Sequence, residues 1–458
     1  MLRKGRFSEN LNIDCAKFMS SLETDKRLFH VDIALNKAHV SMLAKKDIIT
    51  DSEAKEIHSA LERIEKEGVH SLDADPTIED IHMAIEKKVT AILGDAGKKM
   101  HTAKSRNDQV AADLRLLLRE DVVEIILSIE RLLSSLLTLA KEHTETVMMG
   151  YTHLQHAQVT TLAHYFLAYH SFLVRDIERL EDAKKRINIS PLGACAFSGT
   201  TYPIDRDMTA DELGFLGIIE NTQDAVSSRD FILETMSALS ILSVDLSRIA
   251  SDFILWSSLE FGYIHLPDSL SSTSSIMPQK KNPDLLELIR AKLGSIRGET
   301  TTAFNIASNL AHSYNRDLQQ ISLHLFSAVD SIKEILFLLN LFIKECTFNK
   351  ENMKAKINLG YYFATDLADY LVEKYNIAFR TSYEIVGELI LALEKTGEKE
   401  YIGFIQRFFA KKSVAIKESE LQLLLDPLYL VNRRLTVGSP SSKEVLKSIH
   451  KIEKKVKR

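Results

Sequence analysis

Apolar residues recur at spacings of four and three over long stretches of this chain and seldom alternate. Between residues 118 and 139 the pattern is Leu118, Val122, Ile125, Ile129, Leu132, Leu136 and Leu139. That heptad seam predicts a helix packed nearly parallel to its neighbours. Leu117, Ile126, Leu133 and Leu137 widen the face, so the helix is expected to be buried on more than one side, as in a bundle. A second helix is expected from Gly150-Tyr-Thr-His-Leu-Gln155, with Leu162, Phe166, Tyr169, Leu173, Ile177 and Leu180 on one face. A third follows Asp224, with Met236, Leu239, Leu246, Ala250 and Phe253 on its seam. Another carries Leu325, Val329, Ile332, Leu336, Leu339 and Ile343. No proline occurs between Asp284 and Asp426, as long helices require. Period-two patterning is almost absent, and the expected fold class is all-α.

Shorter patterns flank these seams. Asp51-Ser-Glu-Ala-Lys-Glu-Ile57 opens a helix with acids in its first turn. A turn at Asp73-Ala-Asp-Pro76 precedes another helix start at Glu79-Asp80-Ile-His82-Met-Ala-Ile-Glu86. Beyond Gly360 the helices shorten, to 364–375 and 382–393. Three domains are expected: an N-terminal helical one at 1–102, a central long-helix bundle at 103–355, and a small helical one at 356–458.

Composition narrows the function. A net charge of −5 over 458 residues argues against a nucleic-acid partner. The basic run Lys451 to Arg458 is expected to be the solvated end of a last helix. Cys15, Cys195 and Cys346 lie far apart, without the spacing of a zinc site or a disulfide framework, which fits a reducing cytosol. Met1-Leu-Arg-Lys-Gly-Arg-Phe7 lacks the apolar core of a leader, and the run Ile335 to Ile343 is too short to span a bilayer. A cytoplasmic protein without membrane partners is expected.

Several polar stretches carry candidate chemistry. The long segment from Pro267 to Arg290 interrupts the helices with serines, threonines, Lys280, Lys281 and Asn282, and Pro283 restarts a helix behind an Asn282 cap. Hydroxyls, ammonium groups and a helix start suit an anion. Composition alone would favour a solvated linker. His101-Thr-Ala-Lys-Ser-Arg-Asn-Asp-Gln-Val110 places Lys104, Ser105, Arg106 and Asn107 side by side as donors to an anion, although a capping segment has the same letters. His153 is expected at a helix start, near the positive end of the dipole, which favours its neutral form; a lone histidine is more often structural. By spacing alone His82 is a surface histidine paired with Glu79 or Glu86. Cys195, in the small-residue loop Ser190 to Pro203, is expected to be a buried thiol.

Ser274-Ser-Ile-Met-Pro-Gln-Lys-Lys-Asn-Pro283 resembles the signature of the fumarase/aspartase superfamily. Within it the chain is similar to the argininosuccinate lyase family, through Glu79-Asp-Ile-His82, Ser105-Arg-Asn-Asp-Gln109, Gly150-Tyr-Thr-His-Leu-Gln155, Asp224-Ala-Val226 and Arg229-Asp-Phe231, in the same order along essentially the whole chain. The resemblance implies a reversible β-elimination, the last step of arginine biosynthesis, that splits argininosuccinate into arginine and fumarate without metal or organic cofactor. It makes Ser274 the base, with Lys280 and Asn282 stabilising the developing charge. It puts His153 near the leaving group and makes Glu287 the carboxylate that orients it. Ser105, Arg106, Asn107 and Thr152 would face the succinyl carboxylates. Tyr314 and Gln319 would face the arginyl arm, with His82 and Asn36 also among the binding residues. It further implies a homotetramer whose long helices form one core, each active site being assembled from three subunits.

Four positions depart from the family pattern. Thr273 replaces the signature glycine, Ala103-Lys104 a Gly-Arg pair, Leu35-Asn36 a Gly-Ser pair, and Ser322 a lysine. They motivate one alternative, a fumarate-releasing lyase acting on another amine adduct of succinate. A second alternative is a non-catalytic, crystallin-like structural protein, against which the intact Ser274, Lys280, Asn282, His153 and Glu287 argue.

Overall fold

Polar side chains set the starts of the N-terminal helices. Thr50 accepts the N–H of Glu53 at 3.3 Å while the Glu53 carboxylate accepts that of Thr50 at 3.0 Å, and this reciprocal cap begins helix Asp51–Glu67. Asp80 caps helix Ile81–Leu93 by accepting from the Met83 N–H at 2.6 Å. These features come from a computed structural model, which describes residues 11–73, 75, 77–397 and 400–456. The opening heptapeptide, two residues of the turn at 73–76 and the last two residues of the basic run lie outside the described residues.

The protein is all-α. Its long helices are Arg106–Glu142, Leu162–Ile187, Asp230–Ser257, Asp284–Ala307 and Leu318–Glu345. The seam residues from Leu118 to Leu136 are buried, as are Leu325, Val329, Ile332, Leu336, Leu339 and Ile343. Among the described residues no helix is long and apolar enough to cross a membrane. The described residues form two compact units. One is drawn from Met1–Ser128, Asp176–Ser243 and Lys292–Glu334, the other from Ile129–Arg175, Val244–Ala291 and Ile335–Arg458.

One expected helix start is replaced by a β-hairpin. Strands Val147–Thr152 and Gln155–Thr161 pair antiparallel, and the helix begins only at Leu162. The turn is His153–Leu154, both with φ of 56°. Two consecutive positive φ values cannot continue a right-handed helix but match the twist of a two-residue hairpin. Val147, Met149 and Val159 enter a core with Ile357, Phe363, Leu371, Leu389 and Phe409. The cover that makes a strand stable here therefore comes from residues some two hundred positions later, which local periodicity does not register. A bulge lies between Met149 and Tyr151, and a Cβ at Gly150 would sit 2.6 Å from the Gln158 carbonyl oxygen.

The signature segment is a second small hairpin. Ser272–Thr273 pairs with Lys281–Asn282, leaving residues 274–280 as its tip. Asn282 thus joins a ladder instead of capping, and the next helix starts at Asp284 with the Glu287 N–H on the Pro283 carbonyl at 3.1 Å. Lys281 is tied down by the Leu266 carbonyl and Asp268, and Ser272 by Asp284.

Candidate active site

The first unit gathers three of the four expected carboxylate-binding residues, Ser105, Arg106 and Asn107, at the start of helix Arg106–Glu142. The Ser105 N–H donates to Asp108 Oδ1 at 2.9 Å, and Ser105 Oγ accepts from the Asn107 N–H at 3.3 Å. The other Asp108 oxygen accepts the N–H groups of Gly193 at 3.0 Å and Cys195 at 2.8 Å. Asn107 Nδ2 donates to the Ala196 carbonyl at 3.0 Å. The small-residue loop is thus pinned against this helix start. Burial pushes the Asp108 carboxyl up to about 6, against the opposing pull of the three N–H groups. Cys195 is half-buried, not enclosed as expected. It holds φ of 54°, donates its thiol to the Ala103 carbonyl at 3.2 Å, and is pushed by burial up to about 11.

Arg106 is clasped on several sides. Its guanidinium lies 3.1 Å from Asp80 and 3.5 Å from Glu86, and it donates to Gln109 Oε1 at 2.5 Å. Lys104 does not stand beside it as a surface donor. It turns inward and donates to the buried Asn36 side chain, and burial lowers its pKa while Asp32 opposes that shift.

His82 is likewise a core group, not a surface one. Its partners are neither Glu79 nor Glu86: Nδ1 lies 2.9 Å from Asp32 Oδ1 and 3.2 Å from Asp113 Oδ2, with all three side chains fully buried. Helical spacing placed Glu79 and Glu86 one turn away, but the side chain faces the helix Phe29–Lys45, where Asp32 resides. Asp32 also accepts from Gln109 Nε2 and from Asn36 Nδ2 at 2.9 Å. Burial works to raise the Asp32 pKa, but His82, Lys104 and Arg106 outweigh it and hold it below the carboxylate range. Asp113 goes the other way, raised by burial and by the charge of Asp32. Asp32, His82 and Asp113 offer three ligand atoms within 4.8 Å of one another. Asp32 is already occupied by His82 and two amides, and two cationic side chains lie close, so the cluster suits a shared proton better than a dication.

Tyr314 and Gln319 fall in and after the break between helices Asp284–Ala307 and Leu318–Glu345. Tyr314 is half-buried, and burial raises its hydroxyl pKa while Arg229 and Arg316 oppose that shift. Arg316 anchors the break on the Met19 carbonyl at 2.7 Å and on Glu79 at 3.1 Å. Ser322 is buried in the following turn.

The second unit holds the expected proton-transfer residues. Ser274 Oγ accepts two backbone N–H groups, from Met277 at 3.1 Å and Ile276 at 3.3 Å, and the Ser274 N–H donates to the Lys280 carbonyl at 3.1 Å. The tip residues fold back on the serine, giving its oxygen an environment that favours negative charge. Lys280 is exposed and Asn282 half-buried beside it. Thr152 and His153 are exposed at the tip of the longer hairpin. His153 is therefore not at a helix start, which comes nine residues later, at Leu162. Glu287 is exposed in the first turn of its helix. Among the described residues no hydrogen bond or ion pair joins Glu287 to His153 within one chain.

Asp32, Asp108, Gln109 and Asp113 are the site residues that sequence reasoning passed over. Asp108 and Gln109 lie inside the Ser105-Arg-Asn-Asp-Gln109 motif; Asp32 and Asp113 gave no local signal, since a single acid within a helix carries no spacing that tells a buried position from an exposed one.

A family model described as lyase matches residues 5–298, and one described as argininosuccinate lyase C-terminal matches residues 361–403. The chain is 45% identical to argininosuccinate lyase of Methanocaldococcus jannaschii, over 98% of this chain and 93% of that protein. It is 43% identical to argininosuccinate lyase of Methanothermobacter thermautotrophicus, over 99% and 98%. Among solved structures it is similar to EDDS lyase in complex with formate, at 29% identity and a TM-score of 0.83, covering 97% of this chain and 88% of that one. The fold is shared with class II fumarase from Schistosoma mansoni at a TM-score of 0.75 and 16% identity, covering 91% and 94% of the two chains.

Proposed function

Because this chain belongs to the argininosuccinate lyase family, a branch of the fumarase/aspartase superfamily, and carries out its reaction, the cleavage of argininosuccinate to arginine and fumarate, we propose that Ser274 is the base of that elimination. Its alkoxide takes the proton from the carbon next to a succinyl carboxylate. The electron pair moves into that carboxylate as an aci-carboxylate. It then returns to form the double bond of fumarate as the carbon–nitrogen bond breaks and the nitrogen, gaining a proton, leaves with arginine. A serine hydroxyl is ordinarily a poor base. The observation that carries this reading is the pair of backbone N–H groups on Ser274 Oγ at 3.1 and 3.3 Å, which stabilise the alkoxide. Lys280 and Asn282 add positive charge and an amide at the same hairpin.

Ser105, Arg106, Asn107 and Thr152 bind the succinyl carboxylates, and Tyr314 and Gln319 the arginyl arm. Asn36 and His82, both enclosed, serve the site from behind. His153 acts near the leaving nitrogen and is oriented by Glu287 of another copy in a homotetramer. The exposure of both side chains, and of apolar residues on the long helices such as Phe304 at 46% and Phe337 at 66%, supports an assembly that covers them. Three free cysteines support a cytoplasmic location.

The test is to incubate the purified protein with argininosuccinate and follow fumarate by ultraviolet absorbance, with adenylosuccinate, malate and aspartate as controls. Fumarate from argininosuccinate alone, lost in Ser274→Ala, is the expected result. A mass in solution of one or two chains would overturn the tetramer.

A further inference from the structure

Gln109 is 2% exposed and lies one helical turn after Arg106. Its two amide ends face groups of opposite demand. Nε2 donates to Asp32, and Oε1 accepts from the Arg106 guanidinium at 2.5 Å. Asp32 is held ionised, so it can only accept. It also takes hydrogen bonds from His82 Nδ1 and Asn36 Nδ2, both at 2.9 Å, which fixes the carboxylate in the core. The amide of Gln109 therefore has one workable orientation. A flip would set its oxygen against a carboxylate and its NH₂ against a guanidinium. The ion pairs to Asp80 and Glu86 set the charge balance around Arg106, but Arg106 Nε makes no hydrogen bond in them, whereas the amide of Gln109 meets the guanidinium in hydrogen-bond geometry.

We infer that Gln109 is a positioning residue for substrate binding: anchored on Asp32, it aims the Arg106 guanidinium at a carboxylate of the succinyl group. The inference rests on the reading that Arg106 contacts that carboxylate. Arg106 holds the carboxylate in both the ground state and the transition state, so loosening it raises KM more than it lowers kcat.

The experiment compares Gln109→Met, Arg106→Ala and the double variant, as full-length protein, in both reaction directions. Methionine matches the length of glutamine but can satisfy neither neighbour. In Gln109→Met, KM for argininosuccinate, and for fumarate in the reverse reaction, is expected to rise about tenfold, with KM for arginine and kcat changing less than about threefold. Adding Gln109→Met to Arg106→Ala should raise KM no further, because the residue being aimed is gone. A loss confined to kcat, an equal rise in the KM for arginine, or independent effects in the double variant would overturn the inference while leaving Arg106 as a binding residue. An unchanged KM in Arg106→Ala would sink the reading of Arg106 and this inference with it. Circular dichroism and thermal midpoints check folding. If Gln109→Met does not fold, Gln109→Asn, a polar amide one methylene too short to bridge Asp32 and Arg106, is put through the same comparison with the same expected split.

Discussion

Lys104 donates a hydrogen bond to the side chain of Asn36, and both are buried in the first unit. These are two of the four positions at which the chain departs from its family pattern, sixty-eight residues apart in sequence and in direct contact in the fold. The two departures meet at one contact. An ammonium on a flexible stem and an amide stand where the family pattern has an arginine and a serine.

A swap experiment follows. Asn36→Ser alone leaves the Lys104 ammonium without its partner, and Lys104→Arg alone crowds the pocket. Each is expected to destabilise by about 1–3 kcal/mol. The double variant should recover most of that loss, with a coupling of about 1 kcal/mol or more. Denaturant unfolding of the four proteins measures it, and simple additivity would mean the two departures are unrelated.

Ser274→Ala should lower kcat by about 10³-fold or more. The exposed tip loses only hydrogen bonds to two backbone N–H groups, which water can replace, so the thermal midpoint is expected to stay within about 1 °C of the parent. Fumarate release and a melting curve on the same preparation report both. Near-normal turnover would move the base to another group.

Asp108 gives a pH signature. Its carboxyl, raised by burial to about 6, binds its proton more tightly in the folded state than in the unfolded one, where 3.8 applies. The associated loss of stability is absent below about pH 4, grows as pH rises to about 6, and is then constant at roughly 3 kcal/mol. Asp25, raised by burial to about 6, adds to this slope, while His39 and His143, held by burial at about 3 and about 4, contribute the opposite one below their ordinary 6.5, so the parent profile mixes them. Asp108→Asn should be destabilising overall, through weaker acceptance of three N–H groups, yet its deficit against the parent should shrink between about pH 4 and pH 6. A deficit independent of pH would show that Asp108 titrates normally in the fold.

Gly150→Ala should disturb the tip that carries Thr152 and His153. The added Cβ would meet the Gln158 carbonyl oxygen at 2.6 Å, a backbone atom that cannot rotate away. Separation of the strands at the bulge is expected to cost about 1–3 kcal/mol and to lower kcat about tenfold to a hundredfold, since small displacements of reacting groups are costly. A melting curve and initial rates check both, and normal kinetics in a destabilised variant would show that the tip position is not critical.

The sequence by itself determined the helical architecture and the chemistry on offer. The seam from Leu118 to Leu136 and the caps at Thr50 and Asp80 are set by positions a few residues apart, where periodicity and cap chemistry suffice. The signature segment offered residues suited to an anion, although its hairpin form was not legible. Tertiary structure decided the rest, because it depended on partners far away in sequence. His82 became a core residue through Asp32, fifty positions earlier, and Gln109 found that same carboxylate across seventy-seven. The stretch bearing His153 became a hairpin because the segment beyond Ile357 covers one of its faces. Helical spacing reports only which side chains share a face. Which of them meets water, a carboxylate or another strand is settled by what packs against that face.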